Sequence, residues 1–160
     1  MRLVLLLSLM PVLGALGSDL TAAERSGSES VPLAEPLTYT RLYADSAGAS
    51  HFAEEKMHFA LVDFAPPAPA ISLSQLFPAK GVALMSSPAG WHGDWHPTPQ
   101  RQFIFILVGK LRIEVSDGEV RTFGPGAVVL VEDTHGVGHV SRVVSEERGY
   151  CVVVPLAEGE

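Results

Sequence analysis

The stretches GDWHPTPQRQFIFILVGKLRIEV, residues Gly93–Val115, and FGPGAVVLVEDTHGVGHVSRV, residues Phe123–Val143, decide the fold. In both, short runs of β-branched and aromatic residues are bounded by Gly or Pro, as strands are. The runs FIFILV and VVLV are apolar at successive positions, so neither face of these strands is left to water. One face lines a core and the other packs on a second sheet or a second subunit, which leaves room for a homodimer. Strand alternation turns Gln102, Ile104 and Ile106 inward and Phe103, Phe105 and Leu107 outward.

The same rhythm extends in both directions. Strands are expected over 37–43, 57–64, 81–86, 102–108, 110–115, 120–123, 127–131, 139–144 and 150–154, and no ten-residue stretch carries helical spacing. Asp117-Gly118 reads as a hairpin turn, because both residues tolerate positive φ. APPAPA, Ala65 to Ala70, reads as an extended connection, since proline donates no ladder hydrogen bond. So many short strands imply an all-β sandwich or barrel.

The 160 residues, 47% hydrophobic and 18% charged, suffice for one domain with one core. Eleven Lys and Arg, scattered singly from Arg41 to Arg148, stand against 18 Asp and Glu; with a net charge of −7 and no basic stripe, nucleic acid is not an expected partner. The single cysteine, Cys151, excludes an intramolecular disulfide and a thiolate zinc cluster, and reads as a core residue. At the N-terminus, Arg2 precedes an apolar run from Leu3 to Leu9 that Pro11 and Gly14 interrupt. Ala15 and Gly17 stand at −3 and −1 of a cut before Ser18, so 1–17 reads as a signal peptide and the protein as secreted or periplasmic, with no membrane association after processing. A misassigned start or a retained anchor are the other readings of this segment, and without a signal peptide the protein reads as cytoplasmic. Residues 18–36 read as a flexible arm, and 37–160 as the domain.

Chemistry gathers on the histidines. If residues 91–96 are extended, His92, Asp94 and His96 share one side, and Trp91, Gly93 and Trp95 the other. Imidazole and carboxylate together suit Fe, Mn, Ni or Zn. Downstream, His135 and His139 follow a strand that begins after a Pro-Gly turn. His51, His58 and His135 read as surface, edge or loop residues, with His51 able to reach the barrel mouth. Glu132 and Asp133 read as a general base, as anchors for Arg101 or Arg142, or as solvated or paired loop carboxylates. Glu54 and Glu55 read as a solvated charge cluster. No phosphate loop, dinucleotide glycine fingerprint or nucleophile elbow is present.

The two quoted stretches together resemble the paired motifs of the cupin superfamily. In general form its first motif is Gly, His-x-His, a spacer, Glu, six residues and Gly; its second is Pro-Gly, a strand and then His. The resemblance places the second His of motif one on His96, its last Gly on Gly109, the Pro-Gly pair on Pro125 and Gly126, and the His of motif two on His139. It implies a double-stranded β-helix, the cupin-type jelly-roll barrel. Asp94 replaces the first His, Gln102 stands where the family has Glu, and EDTHGVG lengthens the second motif. The implied metal set is then Asp94, His96 and His139, a two-His-one-carboxylate arrangement, with Gln102 as a neutral fourth oxygen or a hydrogen bond to a ligand. In the alternative, metal-free pocket, His96 and His139 bond each other or an organic acid. Trp91, His92, Trp95, Ile104 and Ile106 are expected to line the small-molecule site. Two functions stay open: a metal-dependent enzyme acting on a small organic acid or sugar derivative, and a binding module without catalysis. A structural dimer with a vestigial pocket is a third.

Overall fold

Eleven strands follow one another without a helix in the computed structural model, which describes residues 31–157. They are β1 (Leu37–Ala44), β2 (Ser50–Met57), β3 (Phe59–Val62), β4 (Ile71–Ser74), β5 (Ala83–Ser87), β6 (Gln102–Val108), β7 (Leu111–Val115), β8 (Val120–Phe123), β9 (Val128–Glu132), β10 (His139–Val143) and β11 (Gly149–Pro155). The expected signal peptide, and the expected arm up to residue 30, lie outside the described residues. From Val31 to Pro36 the chain carries no strand, and the Ala34 N–H donates to Ser72 Oγ.

A six-stranded sheet in the order β2-β1-β9-β6-β11-β5 faces a three-stranded sheet in the order β10-β7-β8. In the large sheet β1 and β9 run parallel, and every other neighbouring pair is antiparallel. Alternation places Ile104 and Ile106 on the inner face, where they meet Leu111, Ile113, Val129 and Cys151 in the main core. Burying each such side chain contributes about 1.5–3 kcal/mol. The outer face of β6 is dry too, for a separate reason: Phe103 is 3% exposed beneath Leu130 and Leu156. Its ring meets Phe77 edge-on at 5.0 Å and Tyr39 at 5.9 Å between centroids. The continuously apolar run thus reflects packing on both faces of the sheet within this chain. Leu107, one turn of the pleat beyond, is exposed.

Two expectations need correction. Residues 57–64 are not one strand: Met57 ends β2, and β3 begins at Phe59. β2 was hidden by Glu54, Glu55 and Lys56, charges that a strand tolerates because it lies at the sheet's edge. Ala65–Ala70 is a turn and not an extended connection, with the Ala68 N–H donating to the Ala65 carbonyl at 2.9 Å. It closes a hairpin between β3 and β4, and proline suits it because its fixed φ suits a turn position. The Asp117-Gly118 turn is as expected, closing the β7–β8 hairpin with Gly118 at a φ of 92°.

Candidate functional site

The segment Trp91–His96 lies beside β10 and extends the small sheet, but irregularly. It makes two antiparallel bridges, His92 with Arg142 and His96 with His139. Three residues separate the bridged positions on one side and two on the other, so the segment holds one extra residue, a β-bulge. Residues directly opposite in a sheet share a face. His92 therefore shares the solvent side with Arg142, and His96 shares the inner side with His139. Trp91, whose carbonyl accepts from Val143 N–H, also turns inward. An unbroken strand would have put His92, Asp94 and His96 together; the bulge separates them.

Behind this segment is a cavity of about 120 Å³ between the sheets. Its wall is mainly apolar, with Ile104, Ile106, Leu111, Val131 and Val143 prominent. Its polar lining includes His96, His139, Gln102 and Thr98. Of the expected lining residues, Trp91, Ile104 and Ile106 are present; His92 and Trp95 are not. Of the expected metal set, His96, His139 and Gln102 meet here. Asp94 does not line the cavity, and its side chain is exposed.

The two imidazoles are bridged backbone to backbone, His96 N–H to His139 O at 3.1 Å and His139 N–H to His96 O at 3.0 Å. Their ring centroids are 4.9 Å apart. Gly138 makes this approach possible: at a φ of 76°, any Cβ there would fall 2.0 Å from the His96 carbonyl oxygen. His96 Nδ1 lies 2.8 Å from the carbonyl of Asp94. A carbonyl only accepts, so Nδ1 carries the hydrogen and Nε2 keeps a lone pair.

His139 is held more firmly. Its Nδ1 donates to Asp133 Oδ2 at 2.7 Å, with Asp133 fully buried and His139 only 6% exposed. Its Nε2 is thereby also left as an acceptor. Asp133 Oδ1 is buried with no partner among the described residues, which costs about 1–3 kcal/mol. A loop selected for stability alone would avoid that cost. Gln102 donates its amide N–H to Thr98 Oγ1 at 3.1 Å, and that hydroxyl is itself spent on the Gln100 carbonyl. Gln102 Oε1 remains as a third acceptor.

Asp133 is a paired carboxylate, but its partner is His139 and not an arginine. It is neither solvated nor an anchor for Arg142. Its neighbour Glu132 does pair with Arg101, at 2.7 Å, and with Arg41. Strand alternation past the end of β9 was the available signal, since Val129 and Val131 face the core and Asp133 continues that row. His51 lies away from the cavity and bonds Asp117 through Nδ1 at 2.7 Å and Asp45 through Nε2 at 3.2 Å. These carboxylates, Asp117 first, raise its pKa. Exposed His135 reaches the Asp45 carbonyl through Nε2. Cys151 is buried, and desolvation raises its thiol pKa.

The donor set can be tested against the divalent metal that the resemblance implies. It offers two imidazole nitrogens and a neutral amide oxygen, with no carboxylate in the lining. Among the described residues no three His, Cys, Asp or Glu side chains gather as a metal site. These residues do not fit the two-His-one-carboxylate set.

Motif turns and strands coincide throughout. Gly109 forms the β6–β7 turn at a φ of 79°, Pro125-Gly126 precedes β9, and His139 opens β10 facing the cavity. In the order of these turns and strands the barrel resembles the cupin type. A cupin domain from Bordetella pertussis is similar at 19% identity over 48% of this chain and 80% of its own, with a TM-score of 0.39. A cupin 2 conserved barrel domain protein from Salinispora arenicola is similar at 16% identity, covering 61% of this chain and 73% of its own, with a TM-score of 0.38. A Streptococcus pyogenes protein of unknown function matches at 19% identity and a TM-score of 0.37, over 50% of this chain and 66% of its own length. No family model and no curated protein matches the chain.

Proposed function

We propose that the cupin barrel binds a small, largely apolar molecule through one hydroxyl or N–H group, without a resident metal. The observation that carries this reading is the shared polarity of the cavity's polar end. Each imidazole has committed its Nδ1–H, one to a buried carboxylate and the other to a carbonyl, so both offer Nε2 as an acceptor. Gln102 Oε1 is oriented by Thr98 to do the same. Three acceptors in a mainly apolar cavity, whose other polar side chains besides Thr98 are Ser87, Lys110 and Ser141, call for a donor on an apolar body. The size agrees, since 120 Å³ is close to the roughly 150 Å³ of an apolar cavity that accepts benzene. The lining does not resemble a sugar site, which would need donors and acceptors along most of its wall.

The Asp133–His139 pair favours a second reading, in which the bound donor is also deprotonated. A carboxylate that holds Nδ1–H stabilises the imidazolium formed when Nε2 takes a proton. Binding comes first in either case. Phenol and toluene, nearly equal in shape, separate the claim from simple hydrophobic uptake. After dialysis against a chelator, phenol should bind saturably and at least tenfold more tightly than toluene, by titration calorimetry, and His139→Gln should remove most of the difference. Equal binding of the two, or phenol binding that needs added zinc or iron, would defeat the proposal.

A further inference from the structure

The hairpin of β3 and β4 ends in a tip without a single polar side chain: residues 64–70 read FAPPAPA. All of them but Ala70 are exposed, Phe64 by 65%. Exposed turns ordinarily set Gly, Asn, Asp or Ser beside proline. Apolar side chains continue below the tip on both faces of the hairpin. Val62 and Ile71 stand opposite each other on one face and Leu61 projects from the other, all three exposed. Across 57–79, Asp63 is the only Asp, Glu, Lys or Arg.

The backbone of the tip is equally short of hydrogen-bond donors. Pro66, Pro67 and Pro69 have no N–H, and Phe64 and Ala68 donate theirs inward, to the Val62 and Ala65 carbonyls, each at 2.9 Å. Within the tip, at most Ala65 and Ala70 have an N–H left to offer. A protein partner would meet a face with about one hydrogen bond per 100–200 Å² and a polar rim. This tip supplies neither, and it is apolar all round where a protein interface is one-sided. Such a tip suits immersion in an apolar medium, where every unpaired N–H is costly.

We propose that the tip of the β3–β4 hairpin inserts into the surface of a lipid bilayer, with Phe64 as its largest apolar side chain. Asp63 and the proline carbonyls, which accept no hydrogen bond among the described residues, hold it at the hydrated headgroup boundary. The chain as a whole carries a net charge of −7, so attraction to anionic headgroups does not drive the contact. Burial of apolar surface does, and the favoured lipid is zwitterionic. The course of the chain agrees: the Ala34 N–H bonds Ser72 on β4, so residues 31–36 run beside this hairpin, and the sequence before them holds the apolar run Leu3–Leu9. The expectation of no membrane association rested on cleavage of residues 1–17 and did not concern the hairpin. Even one acyl chain binds a bilayer only marginally, so contact through so few side chains is reversible.

A nitroxide placed on Phe64→Cys tests this in the full chain, because the native Cys151 is buried and stays unlabelled. Paramagnetic resonance is recorded with and without phosphatidylcholine vesicles, beside a control label on Glu146→Cys in the exposed loop between β10 and β11. With vesicles, the label at position 64 should become at least fivefold less accessible to a water-soluble nickel complex while keeping its access to oxygen, and the label at 146 should not change. Vesicles containing phosphatidylglycerol should bind no better. A label merely held near a bilayer by another segment keeps its access to nickel, so unchanged accessibility at 64 would overturn the proposal, as would protein that stays off the vesicles. Preference for the anionic vesicles would overturn it too. So would a label at 64 already immobilised without lipid, which would mean that protein, from this chain or a second copy, covers the tip.

Discussion

The segment Trp91–His96 and strand β10 lie side by side and each delivers one imidazole to the cavity, yet they hold it in opposite ways. His139 is buried, and its Nδ1 is fixed by a carboxylate that is itself shut away from water. His96 is exposed, and its Nδ1 is fixed only by a carbonyl two residues back in its own chain. A hydrogen bond to a charged partner is about twice as strong as a neutral one, and more so where water is excluded. The difference teaches that a histidine's role follows from what grips its far nitrogen. His139 is a rigid acceptor, and His96 an adjustable one at the exposed end of the site.

The contrast can be broken or sharpened by substitution. The largest effect should come from Asp133→Ala, which leaves a buried Nδ1–H without its charged partner; stability should fall by about 1.5–3 kcal/mol in urea unfolding. Gly138→Ala follows, because its Cβ would collide with the His96 carbonyl oxygen that the bridge requires. A loss of about 1–3 kcal/mol is expected from backbone strain, with His96 and His139 ring resonances both displaced. His96→Gln should do little to stability, within about 0.5 kcal/mol for an exposed site, while weakening phenol binding less than His139→Gln does. Equal effects of the two glutamine variants would erase the distinction between them.

His51 supplies the smallest effect and a third kind of grip, with a carboxylate on each ring nitrogen. A neutral imidazole has one N–H and can donate to only one of them, so the pair of bonds needs the cation. The raised pKa means that this contribution is complete below the unfolded value of about 6.5. It is lost as pH rises through the higher folded value. Wild type should therefore lose a slight margin of thermal stability relative to His51→Asn on going from mildly acidic to mildly alkaline pH. A difference between the two proteins that does not change with pH would contradict this.

The C-terminal two-thirds of the fold was legible because turns and strands there carry separate signals. Gly109, Asp117-Gly118 and Pro125-Gly126 punctuate runs whose β-branched residues need no further context. β2 was not legible, since HFAEEKM reads as a polar surface until its place at a sheet edge is known. The cavity histidines His96 and His139 were legible from the motif resemblance, and Gln102, Ile104 and Ile106 from alternation. The site's remaining geometry turned on a single inserted residue. A period-two reading of WHGDWH puts Asp94 beside His96, and only the unequal spacing of the bridges to β10 reveals the bulge that moves it away. Asp133 was obscured in the same way, because a carboxylate in a Gly-rich loop usually meets water, and its burial depends on Thr98 and His139 closing over it from other segments.

The central claim is that Asp133 fixes the tautomer of His139 so that Nε2 faces the cavity as an acceptor. Nitrogen-15 spectra of the histidine rings, recorded above the ordinary histidine pKa of about 6.5, test it directly in wild type and in Asp133→Asn. The account predicts that wild-type His139 carries its hydrogen on Nδ1, with an unprotonated Nε2 whose resonance moves on adding phenol, and that Asp133→Asn mixes the two tautomers and blunts that response. A wild-type His139 protonated on Nε2, or a ring unchanged by Asp133→Asn, would contradict it.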